Sequence, residues 1–74
     1  MISIVNNKVR FYREKLGIST YKLAELANIS QSHVVAIENG KRVPTIYVAK
    51  RLANALETTV DELFPENQED SWKV

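Results

Sequence analysis

The chain has no cysteine among its 74 residues. That removes a disulfide framework, a thiolate nucleophile and every cysteine-based metal site, and it suits a cytoplasmic protein. There is one histidine, His33, so a histidine-rich metal cluster lacks its ligands as well. Only two glycines occur, Gly17 and Gly40, twenty-three residues apart, which excludes a glycine-rich phosphate loop. No run is long and apolar enough to span a membrane, and Met1–Val5 is too short for a secretory signal. The adjacent acids Asp61 and Glu62 fall in a helix-start pattern, Thr59-Val60-Asp61-Glu62, that accounts for them without acid–base work. This inventory argues against an enzyme, and no metal, cofactor, membrane or small-molecule ligand is expected.

What is present is charge, unevenly spread. Residues 1–51 hold nine Lys/Arg against three Glu (+6), whereas residues 52–74 hold one Lys against six acids (−5), and the total is only +1. A basic body with an acidic end fits a protein that turns one face to phosphate. Seventy-four residues allow one domain with a small core, so dimerisation would add to a marginal stability.

The organising stretch is Ser19 to Gly40, STYKLAELANISQSHVVAIENG. It reads as two helices, Thr20–Ala27 and Gln31–Asn39, each opened by a serine, Ser19 and Ser30. A serine oxygen there accepts an N–H that the first turn leaves unpaired, contributing about 1 kcal/mol. Leu23, Ala24 and Ala27 share one face of the first; Val34, Ile37 and Glu38 share one face of the second. Asn28 sits at the reversal, and asparagine tolerates a left-handed backbone. Two helices this short need the rest of the chain to hold them.

Before this stretch, Asn6 or Asn7 caps a first helix that runs to about Leu16 and stops at Gly17, with Val9, Tyr12 and Leu16 as its buried stripe. Arg13 lies on the edge of that stripe, an odd place for an unpaired charge. After the stretch, Lys41-Arg42-Val43-Pro44 forms a basic loop. Thr45 caps a fourth helix, about Ile46 to Leu56, that buries Ile46, Ala49, Leu52, Ala53 and Leu56. Thr59 and Glu62 make a reciprocal capping box for a short fifth helix, Leu63 and Phe64 close the core, and Pro65 stops it. No strand pattern appears. The expected organisation is an N-terminal arm (1–5), one all-α five-helix domain (6–64) and an acidic tail (65–74).

These residues carry a resemblance. Leu23-Ala24, Ala27, Ile29-Ser30-Gln31-Ser32, Val34, Ile37, Glu38, Gly40-Lys41-Arg42 and Pro44 resemble the helix-turn-helix of XRE-type regulators, which include phage repressor and Cro-type domains. The likeness continues through Ala53, Leu56 and Asp61-Glu62-Leu63-Phe64, covering roughly residues 6–64. Asn28 stands where the family usually has glycine. Thr20 stands where it often has a phosphate-gripping glutamine. The resemblance implies a lambda-repressor-like DNA-binding bundle and an ion pair between Arg13 and Glu38.

Within that frame the second helix of the motif enters the major groove with its N-terminal residues at base edges. Gln31, Ser32, Val35 and Ala36 point away from the Val34/Ile37 face, with His33 beside them. Glutamine can pair with adenine, and valine or alanine can touch a thymine methyl. Ser19, Thr20, Tyr21, Asn39, Lys41 and Arg42 are the phosphate contacts, with Arg10 and Lys22 as weaker candidates. Reading two half-sites calls for a homodimer, and the resemblance places its interface around Leu56, Val60, Leu63, Phe64 and Trp72, residues that serve equally well as core. The function expected is a DNA-binding transcriptional regulator, a repressor of phage type or a restriction–modification controller. With only about ten residues beyond the domain, it is expected to lack a sensor domain and to be controlled by its own concentration. An antitoxin, or an interaction module that has lost DNA affinity, uses the same fold.

Overall fold

In the computed structural model, which describes residues 7–65, the chain forms five helices: α1 Val9–Leu16, α2 Thr20–Ala27, α3 Gln31–Glu38, α4 Ile46–Ala55 and α5 Val60–Leu63. The arm Met1–Val5, Asn6 and the tail beyond Pro65 lie outside the described residues.

Four helices start as their hydroxyls dictate. Ser19 Oγ accepts from the Lys22 N–H at 3.0 Å and Ser30 Oγ from His33 at 3.1 Å. Thr45 Oγ1 accepts from Val48 at 3.2 Å and Thr59 Oγ1 from Glu62 at 3.1 Å. The capping box at Thr59 is half of the expected one, because the Glu62 carboxylate accepts the Tyr12 hydroxyl at 2.8 Å. At α1 the cap position is Lys8, whose side chain makes no capping bond, and Asn7 before it caps in its place: its Oδ1 accepts from the Val9 N–H at 3.1 Å, and its Nδ2 donates to the Ile37 carbonyl at 3.0 Å.

Four helices also stop the same way. After α1, α2, α3 and α4 a residue with positive φ turns the chain: Gly17 (72°), Asn28 (59°), Gly40 (76°) and Glu57 (59°). In each case the next N–H reaches back five residues, from Ile18 to Arg13, Ile29 to Ala24, Lys41 to Ala36 and Thr58 to Ala53. This is the Schellman closure, which satisfies carbonyls the helix end leaves free.

The caps set where each apolar face lands. α2 packs on both α3 and α4, α5 packs on α4, and α1 packs on α3. Their shared core is Val9, Leu23, Ala24, Ala27, Val34, Ile37, Ala49, Leu52, Ala53, Leu56, Leu63 and Phe64. Burying each large aliphatic side chain here contributes about 1.5–3 kcal/mol. The first and last elements meet where the Lys8 N–H donates to the Leu63 carbonyl at 2.9 Å.

Two expected core residues are on the surface. Leu16 is 41% exposed, because the turn at Gly17 folds Ile18 back against the core in its place. Ile46 is 55% exposed: it is the first residue of α4, and helical side chains lean toward the N-terminus, here off the end of the bundle.

Candidate nucleic-acid interface

The α2–turn–α3 unit projects both helix N-termini, at Ser19–Tyr21 and at Ser30–Ser32, as exposed or half-buried surface. Neither first turn contains an acid. Free N–H groups and the helix dipole therefore make each end attractive to an anion, with no carboxylate to cancel the effect. At Ser19 the cap uses only the acceptor side of the hydroxyl, so its O–H proton remains able to meet a phosphate.

The proposed reading residues separate cleanly from the core. Val34 and Ile37 are fully buried, while Gln31, Ser32 and Val35 are exposed and His33 and Ala36 are half-buried. Ser32 Oγ lies 3.3 Å from Ser30 Oγ. The two N-termini are joined directly: Gln31 Nε2 donates to Thr20 Oγ1 at 2.9 Å. A residue expected at phosphate thus touches one expected at a base, a pairing that the spacing of eleven positions alone does not announce.

Of the other phosphate candidates, Ser19, Tyr21, Asn39, Lys41 and Arg42 are exposed and Thr20 is half-buried. Lys22 is drawn into a surface pair with Glu25 at 3.4 Å. Arg10 stands 3.6 Å from Glu38, with its side chain 63% exposed. Arg13 and Glu38 form the expected pair, at 2.6 and 3.2 Å, and fix the far end of α3 to α1. Glu38 holds the Arg13 pKa above the ordinary arginine value, the hydrogen bond outweighing the opposing effect of burial.

The residues expected at a dimer interface are differently placed. Leu56, Leu63 and Phe64 are 2%, 0% and 4% exposed within one chain, so they belong to the core and leave almost no area for a partner. Val60 is half-buried, and Trp72 lies outside the described residues. The exposed apolar side chains sit elsewhere, Val43, Ile46 and Tyr47 among them. Asn7 stands at the start of α1 as expected, whereas its bond to Ile37 and the Tyr12–Glu62 bond have no local signal in the sequence. Among the described residues, no group of three His, Cys, Asp or Glu could hold a metal ion, and no helix is long and apolar enough to cross a membrane.

A bundle of five helices, with no strand among the described residues, whose second and third helices form such a unit defines a helix-turn-helix DNA-binding domain. The chain belongs to the HTH_3 helix-turn-helix family, whose model matches residues 9–63, and is an XRE-type transcriptional regulator. It is 32% identical over 60 residues to the HTH-type transcriptional regulator YgzD of Bacillus subtilis (strain 168), covering 81% of this chain and 91% of that protein. Among solved structures it is similar to the restriction-modification controller protein C.AhdI from Aeromonas hydrophila (31% identity, TM-score 0.77, 84% of this chain and 94% of that one). It is also similar to the N-terminal DNA-binding domain of SinR from Bacillus subtilis (26% identity, TM-score 0.78, 92% and 100%).

Proposed function

We propose that this regulator binds double-stranded DNA sequence-specifically as a homodimer in the cytoplasm and represses transcription, in the manner of a phage repressor or a restriction–modification controller. The observation that carries the reading is the pair of hydroxyl-capped, acid-free helix N-termini joined by the Gln31–Thr20 bond, on the part of the chain that carries the net positive charge. In this reading α3 lies in the major groove. Gln31 and Ser32 meet base edges, Val35 and Ala36 meet thymine methyl groups, and His33 reaches a base or the adjoining phosphate. Ser19, Thr20 and Tyr21 hold the backbone at one end of the motif; Asn39, Lys41 and Arg42 hold it at the other. One such helix spans few base pairs, so two protomers on a two-fold operator supply the rest of the affinity. Of the interface first expected, Val60 is half-buried against the core and keeps some area for a partner, while Trp72 lies outside the described residues. The similarity to C.AhdI, nearly end to end, supports the controller form of this reading.

The test is footprinting on DNA flanking the gene, followed by binding measured against salt. The affinity should fall steeply as salt rises, because each neutralised phosphate releases a counterion. Gln31→Ala should weaken the footprinted site far more than random duplex, while Arg42→Ala should weaken both alike. Equal behaviour of the two variants would remove Gln31 from base readout, and binding that ignores salt would remove the interface altogether.

A further inference from the structure

We propose that Asn39 is a site of spontaneous deamidation, that the closure at the end of α3 holds the reaction back, and that its product grips DNA less tightly. The covalent part stands on its own; the weaker grip rests on the phosphate role proposed above for Asn39, Lys41 and Arg42. Asparagine is a thermolabile residue. The main-chain nitrogen of the next residue, once hydroxide draws off its proton, can attack the carboxamide Cγ. The new N–Cγ bond closes a five-membered imide, the Cγ–Nδ2 bond breaks, and Nδ2 leaves as ammonia, taking back one proton. Water then adds to either imide carbonyl and opens the ring to aspartate or to isoaspartate. In balance, one amide and one water become one carboxylic acid and one ammonia, with no change of oxidation state. A side chain on the attacking residue crowds the ring, so glycine is the most permissive neighbour. Of the six asparagines in the chain, only Asn39 precedes a glycine, Gly40.

The electrophile is open to water and the nucleophile is not. Asn39 is exposed, and its carboxamide has no hydrogen bond to another described residue. Gly40 is buried, and its N–H donates to the Ile37 carbonyl at 3.1 Å, while the Lys41 N–H reaches the Ala36 carbonyl at 2.8 Å. Asn7 Nδ2 pins the same Ile37 carbonyl at 3.0 Å. The backbone angle adds a second restraint. Asn39 has ψ 2°, so the Gly40 nitrogen eclipses the Asn39 nitrogen, whereas ring closure needs it to eclipse Cβ. The chain must therefore break the Schellman closure and turn about the Asn39 Cα–C bond before the imide can form. Local opening of the helix end supplies that step. Either product sets a new carboxylate beside Glu38 at the carbonyl end of α3, where the helix dipole disfavours negative charge, and next to the basic Lys41-Arg42 pair. Isoaspartate also lengthens the main chain within the turn, so the closure no longer fits.

The experiment incubates the full chain at mildly alkaline pH, native and unfolded in guanidinium chloride, and locates amide-to-acid conversion by peptide mapping and mass spectrometry. Conversion should concentrate at Asn39 in both states and run at least about 10-fold slower in the native chain, matching the protection of the Gly40 amide in hydrogen exchange. Asn39→Gln, whose ring would need six members, should leave the position unconverted over the same period. Equal rates in the native and unfolded chains would show that the closure restrains nothing. A native chain that converts at its other asparagines before Asn39 would remove the site. The consequence is read separately with Asn39→Asp, a permanent form of one product, checked by thermal melting to be folded. It should bind the footprinted site and random duplex alike about 10-fold more weakly, the effect of losing one phosphate contact at moderate salt. If Asn39 converts in the native chain while Asn39→Asp binds as the parent does, the modification stands, and the weaker grip falls together with the phosphate role of Asn39.

Discussion

Arg13 grips Glu38 through two nitrogens, Nε at 2.6 Å from Oε2 and Nη2 at 3.2 Å from Oε1, while Nη1 donates to the Ile18 carbonyl at 2.9 Å. One guanidinium thereby joins α1, the turn that ends it and the last residue of α3. The Glu38 side chain is 3% exposed and that of Arg13 12%, so neither charge is well solvated. Arg13→Ala should destabilise the domain by about 3 kcal/mol, since it leaves a buried carboxylate with only the largely exposed Arg10, 3.6 Å away. Arg13→Met combined with Glu38→Leu should recover most of that loss, because the charge and its partner leave together. Urea denaturation at neutral pH measures both, and a loss below about 1 kcal/mol for Arg13→Ala would make the pair a surface ornament. The raised Arg13 pKa gives the sign of any pH effect: the contribution is complete below the ordinary arginine pKa and lost only at still more alkaline pH, so the pair should hold constant across neutral pH.

Asn7 makes a second tie to the end of α3, through its bonds to Val9 and Ile37. Asn7→Ala removes a cap and a bridge at once, each ordinarily contributing about 1 kcal/mol, so a total loss of about 2 kcal/mol is expected. Amide hydrogen exchange distinguishes the two parts. Protection should fall at Val9 and also across the last turn of α3, some thirty residues away. Loss confined to α1 would mean that the Ile37 bond contributes nothing.

Tyr12 and Glu62 give a pH-dependent prediction. The hydrogen bond to Glu62 is the main cause holding the Tyr12 pKa above 10, with burial adding to it and a bond to Thr58 partly opposing. The folded state therefore keeps the phenol proton where the unfolded chain releases it. This stabilisation is complete below pH 10 and drains away as the pH rises through the folded-state pKa. Among the three tyrosines, the one that Tyr12→Phe removes from a 295 nm titration should be the one ionising above the ordinary value. The same variant should flatten the alkaline fall in stability. A titration curve that loses an ordinary tyrosine instead would place Tyr12 outside this contact.

The features legible from sequence were those settled within a turn or two of chain. The hydroxyl caps at Ser19, Ser30, Thr45 and Thr59 and the stops at Gly17 and Asn28 each depend on a local residue type. The helical period then sorts Val34 and Ile37 from Gln31, Ser32 and Val35, which made the candidate surface readable too. Helix ends resisted this treatment. At Leu16 and Ile46 the periodic stripe runs past the point where the chain turns away, and periodicity carries no information about that turn. Contacts between distant residues resisted for another reason. Asn7 to Ile37 and Tyr12 to Glu62 join positions 30 and 50 apart, which only the packed bundle brings together. Leu63 and Phe64 show the third limit, since an apolar residue in a short helix looks the same whether it faces its own core or a partner.

Glu57 is where the common helix-stop geometry meets an unsuitable residue. It adopts φ 59° after α4, the conformation that Gly17 adopts after α1 at 72°. A side chain in this region costs roughly 1–2 kcal/mol, whereas glycine enters it freely but gives up more entropy on folding. Glu57→Gly should therefore stabilise the domain by about 0.5–1 kcal/mol net of that entropy. Gly17→Ala is the converse. A Cβ built at Gly17 meets nothing within 4 Å, so any cost comes from the backbone alone, and a loss of about 1 kcal/mol is expected. The two substitutions are far enough apart in the chain, with no shared partner, that the double variant should sit near the sum of the single ones. Thermal melting of the three variants beside the wild type decides the matter. Should Glu57→Gly melt at a lower temperature than the parent, the carboxylate must be contributing more to the native state than the positive φ takes away.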